Sequence, residues 1–314
     1  MPRPHRFAVL GAAALAIVLL GPSRGDLPSE PGAADKAAAR PAVAAAAPLL
    51  SVYIHAHQDD WQLFMGDGVW ESFHVYNRKL VWVYTTAGDA DFTTRYWQTR
   101  EAGARASMRV VLGPGTWDDC RWVTVNGNVV RRCARDNQPA VTWYMRLPDR
   151  NPCKDGLSSN CFLLTQLRES GTDIRALDSF DGGGAKYETW AEFTGTVRAI
   201  IQLEQDSVGA LDADVAVHAP DSSRTLNPGD HSDHWATGDA VKRAVAGQGW
   251  KLYQYKDYDT KNDAVNLSSD QRDRKYRQFY SYDSTMVANG YSTRLSSAWP
   301  DYQKWLWRTY RRGP

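Results

Sequence analysis

Leu49-Leu50-Ser51-Val52-Tyr53-Ile54-His55-Ala56-His57-Gln58-Asp59-Asp60 is where the chain changes character. Before it, residues 22–48 are dominated by Ala, Pro and Gly with scattered charges, a composition too poor in apolar surface to offset the entropy of ordering. The run from Leu49 is rich in β-branched and aromatic residues and predicts a buried strand ending at His57, with two acids where the strand runs out into a loop. A second strand is predicted over Arg78–Thr85, built on Leu80-Val81-Trp82-Val83-Tyr84 and stopping at Thr86-Ala87-Gly88-Asp89. A helix then follows over Thr94–Leu112, dominated by Ala, Arg, Glu and Met and ended by Gly113-Pro114. Strand, turn, strand, turn, helix implies an α/β fold: a Rossmann-like layered domain with a mostly parallel sheet flanked by helices.

Working outward, Arg121–Val125 and Val129–Arg132 flank Asn126-Gly127, a strong hairpin signal, and Val141–Leu147 reads as another strand. Four cysteines, Cys120, Cys133, Cys153 and Cys161, fall in the same part of the chain. Their even number fits disulfides, with sequential pairing favoured among three connectivities; the absence of a closely spaced C-x-x-C pair argues against a zinc knuckle. Residues 117–186 are therefore expected to form a β-rich, irregular, disulfide-stapled insertion in a single domain spanning 49–314. A helix over Tyr187–Gln205, a short strand at Asp214–His218, a helix from near Trp235 to Ala246, a helix around Asp270–Tyr280 and a Trp- and Arg-rich C-terminal helix complete it.

The chain has 314 residues, 43% hydrophobic and 23% charged, ordinary values for a globular protein. Residues 1–48 hold five basic and three acidic side chains, which leaves 32 basic against 33 acidic in the remainder. That balance argues against nucleic acid or an anionic membrane as partner, since both require a basic surface. Arg3 and Arg6 precede an uncharged apolar run, Phe7–Leu20, and then Gly21-Pro22. The run is shorter than the ~20 residues that span a bilayer, so residues 1–25 read as a secretory signal peptide and 26–48 as a disordered linker, and the expected location is secreted or extracellular, without stable membrane insertion. Thirteen Trp and fifteen Tyr supply flat faces that could stack on sugars, although plain packing is the commoner use of such residues.

Two short motifs carry chemistry. His57-Gln58-Asp59-Asp60 lies at the carboxyl end of a strand, where open α/β sheets bind ligands. Adjacent carboxylates need a cation or ample solvent nearby, so a metal site and a solvated turn fit this motif about equally. His231-Ser232-Asp233-His234 precedes a helical pattern and follows the turn signal Asn227-Pro228-Gly229-Asp230. Imidazole serves both as metal ligand and as proton carrier near neutrality, while an Asp helix cap beside two incidental histidines is the plainer alternative. Four of the seven histidines lie at 55–57 and 231–234, which favours the chemical reading.

Taken together, the two motifs resemble the signature of the PIG-L/LmbE-like family of zinc-dependent N-acetylglucosamine deacetylases, which opens with Ala-His-Pro-Asp-Asp-Glu after its first strand and closes with His-x-Asp-His. Thr85-Thr86-Ala87-Gly88-Asp89, the Arg-Glu-Ala helix ending at Leu112-Gly113, Leu147-Pro148-Asp149 and Lys275–Ser281 are similar to further landmarks, so the resemblance runs in order from Leu49 to Ser281. Gln58 stands where the family has Pro, and Trp61 where it has Glu.

The resemblance implies that His57, Asp60 and His234 bind the metal, that Asp59 is general base, and that His231 stabilises or protonates the reacting amide. It implies a zinc cofactor, although two histidines and a carboxylate also suit Fe2+. Trp61, Asp89 and Arg100 are the candidate substrate contacts, with Arg95 the fallback for Arg100. The expected reaction is hydrolysis of the N-acetyl group of an amino sugar, a GlcNAc-type glycan or glycoconjugate, by metal-activated water. The alternatives are an N-acyl amidase on a non-sugar metabolite and a catalytically silent carbohydrate-binding protein.

Overall fold

A computed structural model describes residues 49–90, 94–136, 140–149, 163–177 and 185–314. The expected signal peptide and linker, and Cys153 and Cys161, lie outside the described residues. The chain runs β1 (Leu50–His55), a wide π-helical turn (Trp61–Met65), α1 (Gly66–His74), β2 (Lys79–Thr86), α2 (Thr94–Leu112), β3 (Asp119–Val125), β4 (Asn128–Ala134) and β5 (Ala140–Leu147). It continues through α3 (Leu163–Ser170), β6 (Ile174–Arg175), β7 (Lys186–Tyr187), α4 (Trp190–Asp206), β8 (Val215–Pro220), α5 (Ser232–Val245) and β9 (Lys251–Lys256). α6 (Ser269–Ala288), α7 (Pro300–Leu306) and β10 (Tyr310–Arg312) close it.

Eight strands form one sheet in the order β10-β9-β8-β1-β2-β5-β4-β3. The central five, β9-β8-β1-β2-β5, are parallel, and antiparallel β10 and the β3-β4 hairpin extend the two sides. Alternation along the strands builds two cores. Val52 and Ile54 of β1 with Val81 and Val83 of β2 face α3, α4 and α5, through Leu164, Phe193, Val197, Ala236 and Val241. Tyr53, Leu80, Trp82 and Tyr84 face the other way, onto Val69 of α1, Met108 of α2, Phe279 of α6 and Trp305 of α7. Burial on both faces explains why β1 and β2 read as near-continuous apolar runs.

The expected α/β architecture is present, and its β-rich, disulfide-stapled part joins the main sheet: β5 pairs with β2 inside the parallel sheet, and the hairpin β3-β4 is its antiparallel extension. The Cys120–Cys133 disulfide joins directly paired residues of that hairpin. The irregular stretch 150–186 contains, among its described residues, helix α3 and strand β6 with the start of β7. The helix expected from Trp235 begins at Ser232, because the His231 side chain caps it by accepting from the Asp233 backbone N–H. The expected C-terminal helix is short, and its basic end, Arg311-Arg312, belongs to β10.

β1 is the pivot of the topology: the chain leaves it toward β2 on one side and returns as β8 on the other. The crevice beyond the carboxyl ends of two strands that diverge in this way is the standard ligand position of open α/β sheets. His57 follows β1, and His231 follows the β8–α5 loop. The fold thus brings two motifs 174 positions apart to one place.

Candidate active site

Three ligand-type side chains converge there. His57 Nδ1 lies 3.2 Å from His234 Nε2, and His234 Nε2 lies 3.2 Å from Asp60 Oδ1. His57 Nδ1 to Asp60 Oδ2 is 3.5 Å. A zinc ion with ligands at about 2.0–2.1 Å in tetrahedral geometry sets its ligands about 3.3 Å apart, so the spacing fits such an ion. His57, Asp60 and His234 are all buried. Asp60 is fixed by the backbone N–H of His57, which donates to its Oδ2 at 2.7 Å. The wide turn over Trp61–Met65 starts at Asp60, consistent with the frequent placement of π-turns at functional sites.

The far nitrogens of both imidazoles face carboxylates. His234 Nδ1 is 2.7 Å from Asp230 Oδ1 and 3.3 Å from Asp257 Oδ2. His57 Nε2 is 3.6 Å from Asp149 and 3.8 Å from Asp233. Outer carboxylates of this kind hold the proton on the remote nitrogen and turn the other lone pair toward the centre. Burial opposes protonation of both rings, but the Asp60 charge and the outer carboxylates outweigh it and hold their pKa values well above the ordinary histidine value. Burial pushes Asp257 well above the carboxylate range, helped by Asp230, and pushes Asp233 up to about 6. Asp59, Asp60, Asp149, Asp230, Asp233 and Asp257 are six buried carboxylates around one centre. Crowding of this sort calls for a cation, since buried like charges otherwise suppress one another's ionisation.

A cavity of about 210 Å3 opens beside this cluster, lined by His57, Asp59, Asp149 and His231 on the sheet side. Tyr258, Tyr282 and Tyr302, with Met286 and Arg294, line it on the side of α6 and α7. Asp59 Oδ1 accepts from Arg100, whose guanidinium also donates to the Gly88 carbonyl at 2.9 Å and the Tyr282 hydroxyl at 2.9 Å. Position 88 requires glycine twice over: its φ is +58°, and a Cβ there would lie 2.6 Å from Arg100 Nη1. Burial, and after it the charge of His57, pushes the His231 imidazole down to about 3. Its Nδ1 accepts from the Asp233 backbone at 3.2 Å, so the neutral ring carries its proton on Nε2.

His57, Asp59, Asp60, His231 and His234 are therefore brought together, and Arg100 rather than Arg95 joins them at the cavity. Two expected substrate contacts do not. Trp61 is fully buried and packs against Trp82 at a ring-centroid distance of 5.8 Å, so it offers no face to a substrate. Asp89 is 1% exposed, and its Oδ1 accepts from the Asp149 backbone N–H at 2.7 Å, which anchors the loop after β5. His231 uses Nδ1 to accept from the Asp233 backbone N–H, so Nε2 is the atom it offers to the cavity. Sequence reasoning missed Asp149, Asp230 and Asp257 as site residues and Tyr258, whose ring lies edge-on to His234 at 5.0 Å.

No protein-family model matches the chain, and no curated protein matches it. Among solved structures it is similar to a triple mutant of a deacetylase of the teicoplanin biosynthetic pathway, at 14% identity over 81% of this chain and 88% of that one, with a TM-score of 0.46. It is also similar to N,N'-diacetylchitobiose deacetylase from Pyrococcus horikoshii, at 13% identity over 81% and 75%, TM-score 0.46. The 4-carboxy-2-hydroxymuconate hydratase of Pseudomonas putida matches at 10% identity over 82% and 83%, TM-score 0.42.

Proposed function

We propose that the protein is a metal-dependent N-deacetylase that hydrolyses the acetamide of an N-acetylated amino sugar. The observation that carries the reading is the convergence of His57 Nδ1, His234 Nε2 and the Asp60 carboxylate within 3.2–3.5 Å, beside a cavity that also holds Asp59 and His231. The donor set, two nitrogens and one carboxylate, is that of hydrolytic zinc sites with open positions, and zinc is the assigned ion. When bound, the ion supplies Lewis acidity toward the amide carbonyl and lowers the pKa of a water to about 7.

The chain's own groups divide the remaining work. Asp59 keeps Oδ1 on Arg100 and leaves Oδ2 to take the proton of the attacking water and later hand it to the departing amine. Arg100 holds that carboxylate in place through its second and third contacts, at Gly88 and Tyr282. His231 donates its Nε2–H to the carbonyl oxygen as negative charge develops there, a preorganised dipole rather than an acid. The tyrosines of α6 and α7 and Tyr258 supply flat walls suited to a sugar ring. The apolar run Phe7–Leu20 and the Cys120–Cys133 bond support a reading in which the protein is exported and acts outside the cell.

The test is acetate release from a panel of N-acetylated amino sugars by purified protein, with chelator and with zinc restored. Release that chelator abolishes and zinc restores is the expected result, and Asp59→Asn should lower kcat by about 10²–10⁴-fold while leaving the metal bound. Release that chelator leaves untouched, or none on any N-acyl substrate, would sink the reading.

A further inference from the structure

A second cavity, of about 140 Å3, lies against the same sheet away from the cluster, between the strands and α1. Its polar lining is Ser51 of β1, Glu71 and Ser72 of α1, Arg78, His218 of β8 and Arg311 of β10. None of the residues assigned above to metal or proton transfer lines it. We propose that this groove binds the phosphate group of a small phosphomonoester, whose organic part lies in an adjoining cavity of about 280 Å3 that shares Gly68, Glu71 and Arg311.

His218 makes the first argument. It is 3% exposed and held flat between Tyr53, at 4.2 Å and 12°, and Tyr253, at 5.0 Å and 13°. These three rings occupy directly paired positions on β1, β8 and β9, so the sheet register itself builds the stack. Its Nδ1 lies 3.0 Å from the Tyr255 hydroxyl, while Nε2 has no partner. A buried polar side-chain atom with no partner is rare in folded chains and calls for a bound group. The arrangement also needs Gly68, where a Cβ would lie 2.9 Å from the Tyr255 hydroxyl.

Charge makes the second. Neither Arg78 nor Arg311 has a carboxylate within 4.0 Å among the described residues. Arg78 spends Nη1 on the carbonyls of Leu50 and Asp214, both at 2.8 Å, and Arg311 lies over the Tyr253 ring at 5.0 Å. Two guanidinium groups without a carboxylate partner, the imidazole Nε2 of His218 and the paired hydroxyls of Ser51 and Ser72 form a polar, positively charged wall, the composition that recognises phosphate oxygens. Of the two carboxylates that line the cavities, Asp67 is held by Gln271 and Arg274, and Glu71 receives the Tyr76 hydroxyl at 3.3 Å and provides an acceptor for a protonated phosphate oxygen or a ligand hydroxyl. In the adjoining cavity Asn266, Gln271 and Thr309 are polar, which suits a hydroxylated rather than an apolar ester.

The proposal stands apart from the deacetylase reading. Calorimetric titration at constant ionic strength should show glucose 6-phosphate binding at one site per chain, more tightly than inorganic phosphate, with glucose silent. Arg311→Met, a change at an exposed side chain, should weaken that binding at least tenfold, and Glu71→Gln should alter affinity with the fold intact. His57→Ala should leave it unchanged, because anions drawn to the catalytic cluster would be lost there. Full binding in Arg311→Met, loss in His57→Ala, or no millimolar binding overturns the site; inorganic phosphate binding as tightly as the ester overturns the phosphomonoester.

Discussion

Replacing Asp230 by Ala tests whether the metal centre is oriented from outside. Asp230 Oδ1 accepts from His234 Nδ1 at 2.7 Å and from the His231 backbone N–H at 2.9 Å. A hydrogen bond to a charged group contributes about 1.5–3 kcal/mol net. At about 1.4 kcal/mol per decade, its loss weakens the ligand by about 10–150-fold. Asp257, whose Oδ2 is already 3.3 Å from the same nitrogen, takes over part of the role, so the single variant belongs near the lower bound. We expect about tenfold weaker zinc affinity for Asp230→Ala and about 100-fold for Asp230→Ala with Asp257→Ala. Competition between chelator-stripped protein and a chromophoric zinc indicator gives the affinities, with circular dichroism as the check on folding. A folded double variant that binds zinc within twofold of the parent would refute the argument, and with it the placement of His234 Nε2 as a ligand.

Other outcomes follow from the same geometry. Trp61→Phe should lower the unfolding temperature and leave KM unchanged, because Trp61 packs in the core and not on the cavity; a raised KM at unchanged stability would contradict this. Arg100→Gln frees Asp59 and should lower kcat at least tenfold while zinc affinity is retained, read by parallel kinetics and indicator titration. The Cys120–Cys133 bond closes a loop of sequence separation 13, a constraint of about 3 kcal/mol, so its replacement by serines should lower the unfolding midpoint by about 5–10 °C in calorimetry. Lys275 is buried, and burial pulls its amine down to about 7 against a partial opposing pull from Asp67. Between that value and the unfolded lysine value, near 10.5, the unfolded chain binds the extra proton, so this group makes stability rise with pH over that window. Lys275→Met should flatten that rise in unfolding midpoints measured from pH 6 to 10, and an unchanged slope would disprove the assignment.

The order of strands and helices was legible because β1, β2 and α2 advertise themselves by composition and by the Gly113-Pro114 stop, and the predicted span of α2 coincides with the observed one. The hairpin was legible from Asn126-Gly127, but not its membership of the main sheet, since pairing of β5 with β2 is a contact between segments over fifty residues apart. At the site, the paired motifs pointed to residues that do converge. Asp149 stood in the landmark Leu147-Pro148-Asp149 without a role, Asp230 in a turn signal, and Asp257 in a stretch that no motif marks. A positional signal existed: every parallel strand is followed within four residues by an acid, Asp59 after β1, Asp89 after β2, Asp149 after β5, Asp221 after β8 and Asp257 after β9. Trp61 was misjudged because proximity in sequence to a ligand does not fix which way a side chain points once the turn widens.

That wide turn over Trp61–Met65 also bears on how the chain can vary in length. A π-turn is an α-helical turn with one residue added, and the excess is absorbed locally. Deleting one of those five residues would return the turn to ordinary pitch and leave α1 in place behind Asp60. The same deletion inside α2 would rotate every later side chain of that helix by about 100° and pull Arg100 away from Asp59. Insertions and deletions gained by drift should therefore accumulate next to the candidate metal ligand rather than in the long helices that surround it.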